Sequence, residues 1–186
     1  MADQSASLNQ LFRQRIAGYM KAILIFNSCK LAASIGALVS AVFIRLNLPG
    51  ILAYYYVLPL VGASVTFIAS AAVVYMFISD ERKEHFISNV ILYRIGIIVC
   101  QIPLAVGFGL NIYLVSISSY AYIPSIVYLV FSGLIIFFLG IGSSVCMRRV
   151  YAIKWLMLIN SARNTVPASA NQYPPGYGFS TPSPSV

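Results

Sequence analysis

Four long apolar runs decide what kind of fold this chain can adopt. They cover Ala22–Ile44, Ile51–Ser79, Ile95–Ile117 and Ser125–Met147. Each run exceeds the roughly 20 residues that a helix needs to cross a hydrocarbon core of about 30 Å. The chain is also 60% hydrophobic and only 9% charged, which lies outside the range of soluble domains. We therefore predict an all-α, multi-pass integral membrane protein built as a bundle of four transmembrane helices.

The rest of the chain divides around these runs into an N-terminal arm (1–21), a transmembrane domain with an inner juxtamembrane segment (22–160) and a C-terminal tail (161–186). The arm is an interfacial amphipathic helix or an inward extension of the first span, and the sequence leaves both alternatives open. The stretch after Arg149 continues the fourth span or turns along the inner surface. The tail is rich in Pro, Ser and Tyr and buries too little apolar surface to fold, so we predict disorder there.

Lys and Arg are concentrated on one side of the four runs. They are Arg13, Arg15, Lys21, Arg82, Lys83, Arg94, Arg148, Arg149, Lys154 and Arg163, whereas the opposite side has Arg45 alone. Basic segments stay in the cytoplasm, so we predict that both termini are cytoplasmic. The inner face should then attract anionic membrane lipid, and no nucleic-acid partner is expected.

Three polar residues interrupt the apolar runs. Lys30 lies about 12 Å into the first span, and no Asp or Glu occurs in any span to neutralise it. Its ammonium group either extends back to the cytoplasmic surface or bonds a neighbouring helix, and Gln101 lies at a similar depth. Asn111 is a second candidate for bonding between helices. Lys30 and Gln101 form a polar site for an anion or an anionic lipid head group, or they simply hold the bundle together.

Small residues and prolines predict how the spans pack. Ala33, Ala37 and Ala41 repeat every four residues in the first span, as do Ala32, Gly36 and Ser40, and such stripes let helix backbones approach closely. Pro59 and Pro103 each remove a backbone hydrogen bond, so we expect a break in the second and third spans.

No catalytic, cofactor or metal signature is present. The charged stretch Asp80–His85 is typical of a solvated loop, and the chain lacks a phosphate-binding glycine loop or a catalytic triad. We expect a protein without enzymatic activity, cofactor or metal. Cys146 precedes Arg148 and Arg149 at the inner end of the fourth run, where a cysteine is a candidate for reversible palmitoylation.

The tail carries one compact recognition motif. Pro174, Pro175, Gly176 and Tyr177 spell Pro-Pro-x-Tyr, which resembles the ligand of WW domains. Adjacent prolines hold a chain in polyproline II form before it binds, which lowers the cost of ordering it. The motif predicts a WW-domain partner that binds through Pro174, Pro175 and Tyr177.

These patterns favour a tetraspan membrane adaptor or organiser whose tail recruits WW-domain proteins. One alternative is a small oligomeric channel or transporter subunit that uses Lys30, Gln101 and Asn111. Another is a structural subunit of a larger membrane complex. The organelle is not indicated, because tilting absorbs differences in span length.

Overall fold

The computed structural model describes residues 2–47, 56–117 and 122–165. These residues form α1 (Ala2–Asn47), α2 (Val57–Tyr75), α3 (Asp80–Ser88), α4 (Val90–Ile117), α5 (Tyr122–Gly133), a π-helical segment (Leu134–Gly140) and α6 (Ile141–Thr165). No strand occurs in these ranges. Four stretches are long and apolar enough to span a membrane, namely Gln10–Asn47, Val57–Tyr75, Val90–Ser116 and Ile123–Ala162. The prediction of an all-α, multi-pass membrane protein with four spans is confirmed.

The spans form an antiparallel bundle. Both α1 and α4 pack against α2 and against the continuous rod of α5, the π-helical segment and α6, which places α1 and α4 on a diagonal. In α1, Asn27 lies beside Ser143, whereas Gly36 lies beside Phe131. Residue numbers therefore rise along α1 as they fall along the neighbouring rod. This up-and-down order is the one that short connections between successive spans produce.

Glycines allow α2 and α4 to meet at backbone distance. A Cβ atom on Gly62 would lie 2.7 Å from the Cα atom of Leu104, and one on Gly107 would lie 3.0 Å from the Cα atom of Pro59. The same Cβ atom on Gly107 would lie 2.8 Å from the hydroxyl oxygen of Tyr128. Close packing of this kind replaces the hydrophobic driving force that helices lack in lipid.

Alanines have the same role in α1. Ala33, Ala37 and Ala41 are all buried, and they belong to the apolar core. Of the other predicted stripe, Ser40 is buried and Gly36 contacts the ring of Phe131, but Ala32 is exposed. All three alanines of the first stripe therefore pack into the core of the bundle, whereas only part of the second stripe does.

The π-helical segment keeps one face of the fourth span on the core. The buried residues of this span are Ser125, Tyr128, Ser132, Ile135, Gly140, Ser143, Met147 and Val150. Their spacing alternates between three and four residues except between Ile135 and Gly140, which are five apart. A π-helical turn accommodates one extra residue, so the helix before it and the helix after it present the same side to the bundle.

Two expectations about local structure require correction. Pro59 lies in the first turn of α2, where a backbone N–H has no partner within the helix, so it breaks nothing. Only Pro103 lies inside its helix, α4. The expected loop at Asp80–His85 is helical, since it belongs to α3.

The helix α3 has the end signals of a stable helix. Ser79 is its N-cap, and the side-chain oxygen accepts a hydrogen bond from the backbone N–H of Arg82 at 3.4 Å. Acidic residues fill its first turn, where they interact favourably with the helix dipole. Lys83 Nζ donates to Asp80 Oδ1 at 2.8 Å, and this hydrogen bond together with the lysine charge lowers the pKa of Asp80.

The first and the last spanning helix both extend beyond the predicted apolar runs. The arm that precedes the first span is continuous with it, because α1 begins at Ala2. The last helix, α6, continues through Lys154 and Trp155 to Thr165, so residues 161–165, which we expected in the tail, are helical. The rest of the predicted tail lies outside the described residues.

The bundle has the polarity expected in lipid. Large apolar side chains point outward, among them Ile68 at 65% exposure, Leu92 at 69% and Phe138 at 71%. Polar side chains, including those of Asn27 and Thr66, are buried. Apolar surface of this extent marks contact with a membrane or a partner rather than with water.

Candidate functional site

A polar layer divides the core of the bundle into two apolar clusters. One cluster runs along α1 from Ala33 to Ile44 and includes Leu104 and Ile135. The other includes Ile23 and Met147. Between them lies the polar layer, which we define as Asn27, Lys30, Thr66, Ser70, Gln101 and Ser143.

Lys30 is the centre of this layer. Only 1% of its surface is exposed, so the side chain ends inside the bundle and does not reach the aqueous surface. Asn27 and Ser34, one turn away on either side, are buried on the same face of α1. In the described part of the chain, Lys30 forms no ion pair, and no hydrogen bond joins it to Gln101.

The helix register places three layer residues at one depth. Asn27 on α1 bonds to Ser143 on α6, and the two helices are antiparallel. Lys30 is three residues after Asn27, and Gly140 is three residues before Ser143. Lys30 and Gly140 therefore lie at the same level of the bundle. Gly140 in turn contacts the side-chain amide of Gln101. On the other side Gly62 meets Leu104, and Thr66 and Gln101 lie about one turn from that contact in the same direction. Lys30, Thr66 and Gln101 therefore occupy one cross-section of the bundle.

Several buried polar atoms in this layer lack a partner. They are Asn27 Oδ1, Thr66 Oγ1 and Gln101 Nε2, which form no hydrogen bond with the described residues. Buried polar groups in proteins are nearly always hydrogen-bonded, and such exceptions point to bound water, an ion or a functional role. A basic side chain at the level of unsatisfied polar atoms can hold water molecules or a small anion.

Two consecutive serines of α6 accept hydrogen bonds from side chains of α1 and α4. Asn27 Nδ2 donates to Ser143 Oγ at 3.0 Å, and Arg94 Nε donates to Ser144 Oγ at 2.9 Å. Neither pair was predicted from the sequence. The signals that could have found them are an amide, an arginine and two adjacent serines at comparable depths in helices that must pack together.

Asn111 does not belong to the layer. It lies about 15 Å beyond Gln101 along α4, and its side chain donates to the carbonyl of Gly107 at 2.9 Å. It is fully buried, and its Oδ1 has no partner in the described residues. The structure therefore brings Lys30 and Gln101 to one level but leaves Asn111 at another.

The remaining predicted site residues are Cys146 and the three motif residues of the tail. Cys146 is half-buried and lines a cavity of about 420 Å³ with Arg15 and Tyr19, among others. Pro174, Pro175 and Tyr177 lie outside the described residues.

The structure gathers the three basic segments at one end of the bundle, which we call the basic end. Arg13 shares one cavity with Lys83 and a second cavity with Lys154. The start of α1, the corner between α2 and α3, and the end of α6 therefore meet there. Arg45 lies near the other end of α1, where its guanidinium group is 5.5 Å from the ring centre of Tyr56.

Comparisons with protein-family models, curated proteins and solved structures gave no match.

Proposed function

We propose that the protein is a non-enzymatic membrane adaptor with both termini in the cytoplasm. The observation that carries the proposal is the meeting of Arg13, Lys83 and Lys154 at the end of the bundle where α6 ends. Basic residues flanking membrane spans favour the cytoplasmic side. The chain after Thr165 then starts in the cytoplasm, where WW-domain proteins are available to it.

The tail supplies the recruiting function in this proposal. Pro174, Pro175 and Tyr177 lie within a short distance in sequence of the last helix, so a bound partner is held at the membrane surface. The adjacent prolines favour the extended form that aromatic grooves of WW domains accept. The spanning bundle then acts as the anchor, and its basic end adds attraction to anionic lipid.

A binding experiment with the intact protein tests this role. The full chain in lipid nanodiscs is presented to a panel of purified WW domains, and the variants Tyr177→Ala and Tyr173→Ala are compared with it. Tyr173 lies in the same tail outside the motif and serves as the matched control. We expect Tyr177→Ala to weaken binding at least tenfold and Tyr173→Ala to leave it unchanged. Equal binding by all three proteins excludes recruitment through the motif.

Orientation is tested separately by inserting glycosylation acceptors. An Asn-x-Thr site after Ser180 should remain unmodified in cells, whereas one in a polar insertion between α4 and α5 should be glycosylated. Modification of the tail acceptor would place the tail on the wrong side of the membrane for a cytoplasmic partner.

The polar layer favours a second candidate, an oligomeric channel or transporter subunit. Lys30 is a buried cation without an ion pair in the described chain, and charges inside spans commonly mark ion or substrate pathways. Chloride flux into liposomes should then fall severalfold in Lys30→Met and persist in Arg149→Met, which removes an exposed charge. Flux equal to that of protein-free liposomes rules this candidate out.

A further inference from the structure

A cavity of about 680 Å³ opens at the basic end, between α1 and the corner where α2 meets α3. Its volume lies within the range of roughly 300–1,000 Å³ that is common for small-molecule sites. The cavity is separate from the polar layer, since its walls contain none of the layer residues. Its lining residues fall into a charged group and an apolar group.

Cations dominate the charged group. Arg13, Lys21 and Lys83 line the cavity together with one carboxylate, that of Glu84. Lys83 also pairs with Asp80, which is the one ion pair among the described residues. Arg13 and Lys21 are exposed and have no such partner there, so the cavity keeps a net positive charge for an anion even with Glu84 counted.

The apolar group lines the cavity alongside these charges. Met20 and Leu24 on α1 and Phe77 after α2 line the cavity, and Met20 is only 7% exposed. From Arg13 to Leu24 the cavity follows α1 for about 16 Å. The α1 end of the cavity near Leu24 lies within the predicted apolar run, whereas Arg13 precedes it. The cavity therefore reaches from the basic arm to the beginning of the first apolar run.

This combination selects a ligand with a negative head and an apolar chain. A free phosphate would leave the wall at Met20, Leu24 and Phe77 without contact. A zwitterionic lipid would give the arginine and lysines less net charge to bind. An anionic lipid satisfies both groups, because its phosphate forms charge-assisted hydrogen bonds while its chain covers apolar surface.

We propose that this cavity binds one anionic phospholipid from the leaflet at the basic end. The head group lies among Arg13, Lys21 and Lys83, and one acyl chain lies along Met20, Leu24 and Phe77. The identification of that leaflet as the cytoplasmic one rests on the proposed orientation of the protein. The lipid site itself does not depend on the tail or on a WW-domain partner.

Native mass spectrometry of the full chain tests the site. The protein is reconstituted in nanodiscs of phosphatidylcholine containing phosphatidylserine with the same acyl chains, and the lipid that remains bound after release is identified. We expect the unmodified protein to retain one phosphatidylserine. The double variant R13Q/K21Q should reduce this retention at least tenfold, and Ala17→Trp, which fills the cavity from an exposed position, should do the same.

Matched controls distinguish the site from general charge attraction. R148Q/R149Q removes two exposed charges from the same region of the bundle, and Ala152→Trp adds an indole at an exposed position of α6. Both should retain the lipid as the unmodified protein does. Equal loss in R13Q/K21Q and R148Q/R149Q, or equal retention in all variants, overturns the proposal.

A competition experiment separates a lipid from its head group. Soluble glycerophosphoserine, which lacks acyl chains, should not displace the bound lipid at millimolar concentration. Displacement at that concentration would show a phosphate site without a chain requirement and would contradict the proposal. WW-domain binding by R13Q/K21Q is measured in parallel, so that a failed lipid site is told apart from a failed adaptor role.

Discussion

Asn27 on the first spanning helix donates a hydrogen bond of 3.0 Å to Ser143 on the last. Both residues are fully buried, and Asn27 also donates to the carbonyl of Ile23 in its own helix at 2.8 Å. This contact sets the register between α1 and α6. Lys30 thereby comes to the level of Gly140, whose neighbour is Gln101.

A double-mutant cycle should detect the coupling between Asn27 and Ser143. Hydrogen bonds between membrane helices contribute about 0.6 kcal/mol on average and up to about 1.7 kcal/mol. We expect Asn27→Ala and Ser143→Ala to be non-additive by an amount in that range when the free energy of unfolding is measured in bicelles. The pair Asn47→Ala and Ser143→Ala is the control, since the side chain of Asn47 bonds, within the described ranges, to the carbonyl of Phe43 in its own helix. Strict additivity of the first pair would show that the bond does not couple the helices.

Gly62→Ala should destabilise the bundle by about 1–3 kcal/mol, as overpacking of a close contact does. The added methyl group would meet the backbone of Leu104 at 2.7 Å, and backbone cannot move aside as a side chain does. Gly96→Ala is the matched control, because a Cβ atom there has no neighbour within 4 Å. It should raise stability by up to about 1 kcal/mol through helix propensity. Thermal unfolding in detergent measures both effects, and an unchanged midpoint in Gly62→Ala would contradict the close approach.

Deleting Phe138 should be tolerated. This residue is 71% exposed in the π-helical segment, and its removal leaves Ile135 and Gly140 four positions apart, which suits a regular α-helix. Val145 is 49% exposed in α6, which is a regular α-helix without an extra residue, so its deletion cannot be accommodated in the same way. The deletion should rotate the rest of α6 by about 100° and withdraw Met147 from the core.

The expected cost of the Val145 deletion is about 2 kcal/mol or more, similar to the loss of a large buried side chain. The unfolding midpoint of the Phe138 deletion should stay near that of the unmodified protein. If both deletions destabilise the protein equally, the π-helical segment does not act as a register adjustment.

Lys30→Met should stabilise the protein in detergent or bicelles. A lysine at the centre of a span costs roughly 2.5–3.5 kcal/mol on insertion scales, and this one has no ion pair within the described residues. Methionine has a similar length and removes the charge, so the free energy of unfolding should rise. Arg149→Met, at an exposed position, should change it little. A lower free energy of unfolding in Lys30→Met would contradict this expectation and would mean that a bound ion or solvent stabilises the charge of the lysine.

The positions of the spans could be predicted from the sequence because span length is a property of the apolar run itself. The ends of the helices were harder to predict, since the apolar run from Ile51 to Ser79 does not show where α2 stops. The signal was present at Ser79, whose capping side chain and following acids begin α3. For Pro59 the outcome depended on the start of α2, since a proline breaks only a helix that has already begun.

The site was harder to predict than the fold. Lys30 and Gln101 were identified as polar residues at similar depth, and the structure does place them at one level. Thr66 and Asn27, which belong to the same polar layer, were not identified, because a Thr or an Asn in an apolar run is compatible with either face of a helix. Which face is buried depends on how the helices rotate against one another, and that is a property of the assembled bundle.

The amino-acid sequence by itself determined that this chain has four stretches long and apolar enough to cross a membrane, with its basic segments on one side of them. The length of an apolar run and the positions of charges act locally, on each helix and its own surroundings. They can therefore be recognised in each segment of the sequence separately. Only the tertiary structure decided that Lys30 points into the bundle, that Gly140 contacts Gln101, and that Arg13 and Lys83 share a cavity. Those relationships join residues distant in the chain, and they exist only once close helix packing has fixed register and rotation.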